Sequence, residues 1–174
     1  KSENEPLKIW GMIKNGQIKN AAGPQISATC LRVPVTDGHL ASVSVLFAKK
    51  PTKEEILAAI KNYDNPIKNL GLPSAPKQLI KYFAEEDRPQ TRLDRNFENG
   101  MGITMGRLRA DPLSHWKFVA LSHNTVRGAA GGAILVAELL YKVCSFTFGI
   151  DASPAQSVSS PTSSYILAQN VPGF

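Results

Sequence analysis

The stretch that decides the fold is residues 25–48, which reads QISATCLRVPVTDGHLASVSVLFA. Its first part, residues 25–35, is rich in residues that favour β-structure and predicts a strand. Thr36-Asp37-Gly38-His39 contains the Asp-Gly pair that is typical of a turn. Residues 41–48 alternate, with Val43, Val45 and Phe47 on one face, and predict a second strand. Two strands joined by a turn are expected to be antiparallel neighbours.

Helical signals lie further along the chain. Thr52 and Glu55 form a capping box, and the apolar residues that follow at helical spacing predict a helix that covers the sheet: Ile56, Ile60 and Tyr63. A second helix is predicted over residues 128–142. One surface of it consists of very small residues, which let a helix approach a backbone or a ligand closely.

The chain between these helices mixes irregular and strand-like stretches. Residues 65–78 are rich in Pro and Gly and are expected to be irregular, and residues 84–100 are strongly charged. Alternation returns at 101–109 and 115–121 and predicts two more strands. Strands interspersed with a few helices indicate an α+β fold.

Composition excludes several classes of protein. The chain has 174 residues, a net charge of +6 and 43% apolar residues, as expected for a globular domain. Its basic residues are scattered, so a small anion such as carboxylate or phosphate is expected as a ligand rather than nucleic acid. Cys30 and Cys144 form neither a disulfide framework nor a metal cluster, so no metal and a cytoplasmic location are predicted. No apolar run is long enough for a membrane span.

Three motifs resemble a known family. Residues 32–39, RVPVTDGH, are similar to the Arg-Val-Pro-Val-x-x-Gly-His signature of aspartate-semialdehyde dehydrogenases. Residues 121–131, LSHNTVRGAAG, look like the cofactor-side motif of that family in its fungal and archaeal form. Residues 74–78 and 87–95 also match the fungal branch. The resemblance runs from about residue 1 to residue 142.

The resemblance implies both a fold and a reaction. The family's catalytic domain has a mixed, largely antiparallel sheet with helices on one face, and this sheet takes part in a subunit interface. A homodimer or higher homo-oligomer is therefore expected, with the arm at 65–100 near the interface. The family reaction is the reversible NADPH-dependent reduction of aspartyl phosphate to aspartate semialdehyde with release of phosphate, on the path to lysine, threonine and methionine.

The resemblance also assigns roles to two residues of the signature. It implies that Arg32 binds the substrate carboxylate, which a planar guanidinium can grip with two hydrogen bonds. It implies that His39 is the general acid/base, since an imidazole near its reference pKa of about 6.5 exchanges protons readily. Without the signature, an ion-pairing Arg and a turn His would be the simpler interpretation.

Other roles come from neighbouring motifs. The family has a Glu-x-x-Lys whose Lys binds the phosphoryl group, and Lys1 matches it best; the rival register is Glu5-Pro6-Leu7-Lys8. Asn124 matches the amide that touches the nicotinamide end of NADP, although it could instead cap the following helix. His123 is interpreted as structural.

Some parts of the family pattern are absent from the sequence. The Asn-Cys nucleophile motif does not occur, and Cys30 is interpreted as a packed strand residue. The glycine-rich phosphate turn does not occur either, so most of the NADP site is expected elsewhere. The chain starts without Met and is expected to be a fragment, inactive alone. The alternative is a non-catalytic module that dimerises or binds anions, such as a truncated isoform.

The predicted domain is residues 1–142, a catalytic (dimerisation) domain without its N-terminal part. Residues 143–174 are predicted to be an atypical Ser/Ala/Pro-rich tail that adds little to the fold. The competing interpretation is that aromatic and aliphatic residues of the tail dock on an apolar surface.

Overall fold

The computed structural model describes residues 1–148, which divide into two units between Thr36 and Asp37. Each unit is described by itself.

The first unit begins with helix α1 (Glu5–Ile9) and a β-hairpin of β1 (Met12–Lys14) and β2 (Gln17–Lys19). The two residues between the strands, Asn15 and Gly16, have φ angles of 52° and 72°. Positive φ at both positions is the geometry of the tight turns that join antiparallel strands, so this local sequence fixes the hairpin.

The strand predicted over residues 25–35 is wrong, because this segment is irregular and mostly exposed. Leu31 is 81% exposed and Val33 is 62% exposed. The carboxylate of Glu3 holds the segment by accepting a hydrogen bond of 2.8 Å from the backbone N–H of Ala28. A high β-propensity reflects packing on a sheet, and within the described chain this segment pairs with no strand.

The second unit contains four strands in its described part: β3 (His39–Val45), β4 (Ile80–Phe83), β5 (Ile103–Ala110) and β6 (Trp116–Ser122). They form one sheet in the order β3–β6–β5–β4. β6 is antiparallel to β3 and β5, whereas β4 is parallel to β5. The predicted α+β class with a mixed, largely antiparallel sheet is confirmed. The partner of β3 is β6, however, and not the preceding segment.

Helix α2 (Lys53–Lys61) begins where the sequence predicts. Both hydrogen bonds of the capping box are present, since the N–H of Glu55 donates to Thr52 Oγ1 at 3.1 Å and the N–H of Thr52 donates to Glu55 Oε2 at 2.7 Å. The helix packs against β4. Its start is tied to β6 because Trp116 Nε1 donates to the carbonyl of Pro51 at 2.9 Å.

The centre of the sheet is its best-buried part. Leu121 on β6 and Thr104 on β5 are paired across the two strands, and each is only 1% exposed. The register of β5 shifts between Gly106 and Arg109, and Arg107 within this bulge has a φ of 57°. Two residues of β5 here face one residue of β6, and a bulge of this kind leaves its extra residue unpaired, so the β5–β6 ladder is interrupted.

The charged segment 84–100 is ordered, and an ion pair organises it. It contains helix α3 (Thr91–Asp94) and a turn at Phe97–Gly100 in which Glu98 and Asn99 have positive φ angles, so the predicted irregular arm at 65–100 is wrong in this part. Arg88 and the buried Asp94 form a two-pronged ion pair, in which Arg88 Nε lies 2.7 Å from Asp94 Oδ2.

Helix α4 (Gly131–Phe148) follows a π-helical turn (Val126–Ala130). The helix predicted over 128–142 is confirmed, but it continues past Lys142 to Phe148, so the expected end near Lys142 is wrong. The predicted tail otherwise lies outside the described residues. Several apolar side chains of α4 are about half exposed: Ile134, Val136, Leu140 and Tyr141. None of the helices in the described part combines the length and apolar character of a bilayer-spanning segment.

The small residues at the start of α4 allow the close approach to backbone that the sequence predicts. A Cβ on Gly131 would lie 2.7 Å from Met101 Sδ and 2.9 Å from the carbonyl oxygen of Val126. A Cβ on Gly132 would collide with the carbonyl of Arg127. The π-helical turn brings these carbonyls close to the next turn, so glycine is needed at both positions.

Candidate functional site

The turn before β3 is the centre of the candidate site. Gly38 is buried and has a φ of 107°, which L-residues with side chains rarely adopt. A Cβ at this position would lie 3.1 Å from Leu121 Cδ1 and 3.2 Å from Thr91 Cγ2. The Asp-Gly pair in the sequence is therefore explained by both the backbone conformation and the close approach of β6 and α3.

His39 is the first residue of β3, and its backbone pairs with Ser122 of β6. Its side chain is exposed and makes no hydrogen bond to another residue of the described chain. An accessible imidazole on a strand with a fixed register can exchange protons with a bound molecule.

Asn124 contacts the turn directly. Its side-chain Oδ1 accepts a hydrogen bond of 2.8 Å from the backbone N–H of Gly38, across 86 residues of sequence. Next to it, Thr125 Oγ1 donates to Asp37 Oδ1 at 3.4 Å. The structure therefore brings Asn124 and the residue preceding His39 together. The alternative that Asn124 caps the following helix is wrong, because the π-helical turn has Thr125 at its start and no side-chain cap.

His123 has the structural character that the sequence indicates. It is 7% exposed, and its Nδ1 accepts a hydrogen bond of 3.3 Å from the N–H of Val126. The same nitrogen lies 3.2 Å from Thr125 Oγ1. His123 therefore anchors the segment that carries Asn124 and Thr125.

Arg32 and Lys1 belong to the first unit. Arg32 is exposed and lies in the irregular segment rather than on a strand. Lys1 is exposed, and its carbonyl accepts hydrogen bonds from the N–H groups of Asn4 at 3.0 Å and Glu5 at 2.9 Å, at the entry to α1. In the rival register, Glu5 and Lys8 are both on α1. The roles predicted for these residues stay predictions.

Cys30 is not the packed strand residue that the sequence predicts. Cys30 and Cys144 are both free and exposed, and Cys30 lies outside any strand. Cys30 Sγ is 3.4 Å from Ser2 Oγ. Cys30 was expected to be buried because a strand was predicted over residues 25–35. Since that strand does not form, Cys30 is exposed. Within residues 1–148, no cluster of His, Cys, Asp and Glu has the makings of a metal site.

A surface of small residues follows Asn124. Gly128, Ala129 and Ala130 are exposed, and the nearest atom to a Cβ on Gly128 would be the carbonyl oxygen of His123, 3.5 Å away. A flat ligand can therefore approach the backbone of this turn. The side chain of Arg127 anchors the turn by donating to the carbonyl of Met101 at 2.7 Å, and its burial lowers the pKa of Arg127.

Asp37, Thr91 and Thr125 are site residues that the sequence reasoning missed. Each contacts a residue of the turn or of the segment that holds it. Asp37 and Thr125 adjoin residues that the motifs single out, but nothing local indicates that they meet. Contacts over such long sequence separations depend on strand order, which periodicity does not predict.

The chain is similar to one known protein family and to individual proteins of that family. The family described as semialdehyde dehydrogenase, dimerisation domain, matches residues 1–127, so the chain belongs to this family. The chain is 52% identical over 147 residues to the aspartate-semialdehyde dehydrogenase of Schizosaccharomyces pombe, covering 82% of this chain and 41% of the relative. It is 48% identical over 142 residues to that of Archaeoglobus fulgidus, covering 82% and 40%.

A solved structure supports the same family assignment. The chain is similar to aspartate semialdehyde dehydrogenase with NADP from Candida albicans, with a TM-score of 0.71 and 40% identity. The match covers 80% of this chain and 41% of that one. The resemblance drawn from the motifs is therefore confirmed, and the chain corresponds to the C-terminal dimerisation part of relatives of which it spans about 40%.

Proposed function

We propose that this chain is the substrate-binding and dimerisation part of an aspartate-semialdehyde dehydrogenase. The reaction is the reduction of aspartyl phosphate to aspartate semialdehyde by NADPH, with release of phosphate. The observation that supports it most is the signature at residues 32–39 on a domain of this family, where the buried, anchored turn at Gly38 presents His39 at the start of β3.

His39 acts as the general acid/base in this proposal. Its imidazole is exposed, and an imidazole nitrogen can give a proton to a bound molecule or take one from it. Arg32 binds the substrate carboxylate, for which the bidentate geometry of a guanidinium is suited. Lys1 binds the phosphoryl group as a point charge. Each of these three side chains is exposed.

NADP is the proposed cofactor, and the residues present are compatible with its nicotinamide end. The exposed Gly128, Ala129 and Ala130 leave room for a flat ring beside the Asn124 segment. When bound, NADPH supplies the hydride of the reaction. The structural relative from Candida albicans contains NADP, which supports the choice of cofactor.

A homodimer or higher homo-oligomer is the proposed assembly. The family is described as a dimerisation domain, and α4 has half-exposed apolar side chains that a further protein surface could cover. A cytoplasmic location is proposed as well, since two free, exposed cysteines suit a reducing compartment.

A chimera tests the proposed function. Residues 1–142 of this chain would replace the corresponding segment of the Schizosaccharomyces pombe relative, to which the chain is 52% identical. Phosphate-dependent reduction of NADP by aspartate semialdehyde should then proceed within about tenfold of the parent rate. A folded, dimeric chimera without activity would refute the proposal.

The 174-residue chain alone is the matched comparison. It should show no turnover, because covalent catalysis needs the nucleophile that its sequence lacks. Turnover by the pure chain would show that the reaction uses groups other than those proposed.

A further inference from the structure

The backbone of the turn before His39 is held by the side chain of Asn124, 86 residues further along the chain. Gly38 is a buried residue, and Asn124 Oδ1 accepts a part-buried hydrogen bond of 2.8 Å from its N–H. A buried N–H without a partner is strongly unfavourable, so this bond specifies the conformation of the turn.

Further contacts restrain the same turn. Thr125 Oγ1 donates to Asp37 Oδ1, and the buried His123 fixes the segment that carries Asn124 and Thr125. Gly38 is packed against Leu121 and Thr91 so closely that a Cβ would have to displace them. The turn is therefore enclosed by the end of β6 and the start of α3.

His39, in contrast, has no restraint through its own side chain within the described residues. Its position depends on the strand pairing with Ser122 and on the conformation of Gly38, the residue before it. We propose that Asn124 is a positioning residue, whose side-chain oxygen sets the place of the His39 imidazole through the backbone of Gly38. For its catalytic consequence, this inference rests on the proposed function of His39.

The chemistry separates this role from a direct contact with the cofactor. Positioning requires only a hydrogen-bond acceptor, and the carboxylate of Asn124→Asp would supply one. Donation to a ligand requires the amide NH₂ group, which Asn124→Asp lacks. Asn124→Ala lacks both functions.

The first test observes His39 in the 174-residue chain, without any activity measurement. The chain has three histidines, so the imidazole NMR signals are few and can be assigned with His39→Ala. Asn124→Ala should shift or broaden the His39 signal, and Asn124→Asp should restore it. His115 serves as the internal control, because its Nδ1 accepts from the N–H of Phe47 away from this turn. An unchanged His39 signal in Asn124→Ala would overturn the inference.

The second test measures kinetics in the chimera. Asn124→Ala should lower kcat by about 10- to 100-fold, the usual effect of misplacing a reacting group, with the KM for NADP within about twofold. Asn124→Asp should recover most of kcat, and Thr125→Val should cause a smaller loss than Asn124→Ala. A raised KM for NADP that Asn124→Asp shares would instead assign Asn124 to the cofactor and overturn positioning. An inactive unsubstituted chimera would refute the proposed function, and the NMR result would still decide the inference.

Discussion

Replacing Asp94 by alanine should destabilise the second unit by about 3 kcal/mol. Asp94 is 4% exposed, and its carboxylate accepts hydrogen bonds from two guanidinium nitrogens of Arg88 and from the N–H of Gln90 at 2.7 Å. Removing one partner of a buried ion pair costs about 3–5 kcal/mol. Because the side chain of Arg88 is 24% exposed, water can hydrate it after the substitution, which places the cost at the lower end.

Urea unfolding followed by circular dichroism measures this cost. With a slope of about 2 kcal/mol per molar urea, the midpoint should fall by about 1.5 M. The matched control is Asp64→Ala, because Asp64 is paired with Lys68 but has 74% of its side chain exposed. That substitution should cost less than about 0.5 kcal/mol. Equal costs for the two aspartates would refute the importance of burial in this ion pair.

The pH dependence provides a second check on Asp94. Burial acts to raise the pKa of Asp94, but the hydrogen bonds from Arg88 and from the N–H of Gln90 outweigh it and hold this pKa below its ordinary value. The carboxylate therefore stabilises the fold above its unfolded-state pKa of about 3.9, and this contribution is lost as the pH falls through the lower folded-state pKa. The stability gap between wild type and Asp94→Asn should be constant from about pH 7 to pH 5 and then shrink. A gap that stays constant into strong acid would contradict the assignment.

Three further predictions follow from the site and from α4. In the chimera, His39→Ala should lower kcat by about 100-fold or more, whereas Arg32→Ala should mainly raise the KM for the semialdehyde. Both are measured by steady-state kinetics, and wild-type turnover in His39→Ala would make the acid/base role wrong. Gly131→Ala should destabilise the chain by about 1–3 kcal/mol through overpacking, and Gly128→Ala, where a Cβ has room, should be tolerated; urea midpoints that do not differ would contradict this. Truncation after Phe148, the last residue of α4, should change the melting temperature by less than about 2 °C, and aggregation or a loss of several degrees would show that the removed residues cover apolar surface.

Local patterns in the sequence predicted several elements correctly. The capping box at Thr52 and Glu55 depends on residues three positions apart, and it starts α2 as expected. The alternation in β3, β5 and β6 identified three strands of the sheet. The short β4 was missed because its four residues, Ile80–Phe83, carry too little periodicity. The capping box and the alternation each depend on residues that are close in the chain, so the sequence alone reveals them.

The motifs of the sequence also determined the family. The segments at 32–39 and 121–131 resembled aspartate-semialdehyde dehydrogenases, and the family match confirms it. The motifs named His39 and Asn124 as site residues, but they gave no reason for the two to be close. The sequence could assign roles only by resemblance.

Tertiary structure decided which elements pair and which groups meet. The segment at 25–35 has the composition of a strand but pairs with none in the described chain, and β3 pairs instead with β6. The bond from Gly38 to Asn124 joins residues 86 positions apart. The physical reason is that a strand or a buried polar group is stable only with a partner, and the order of the sheet determines which distant segment supplies it.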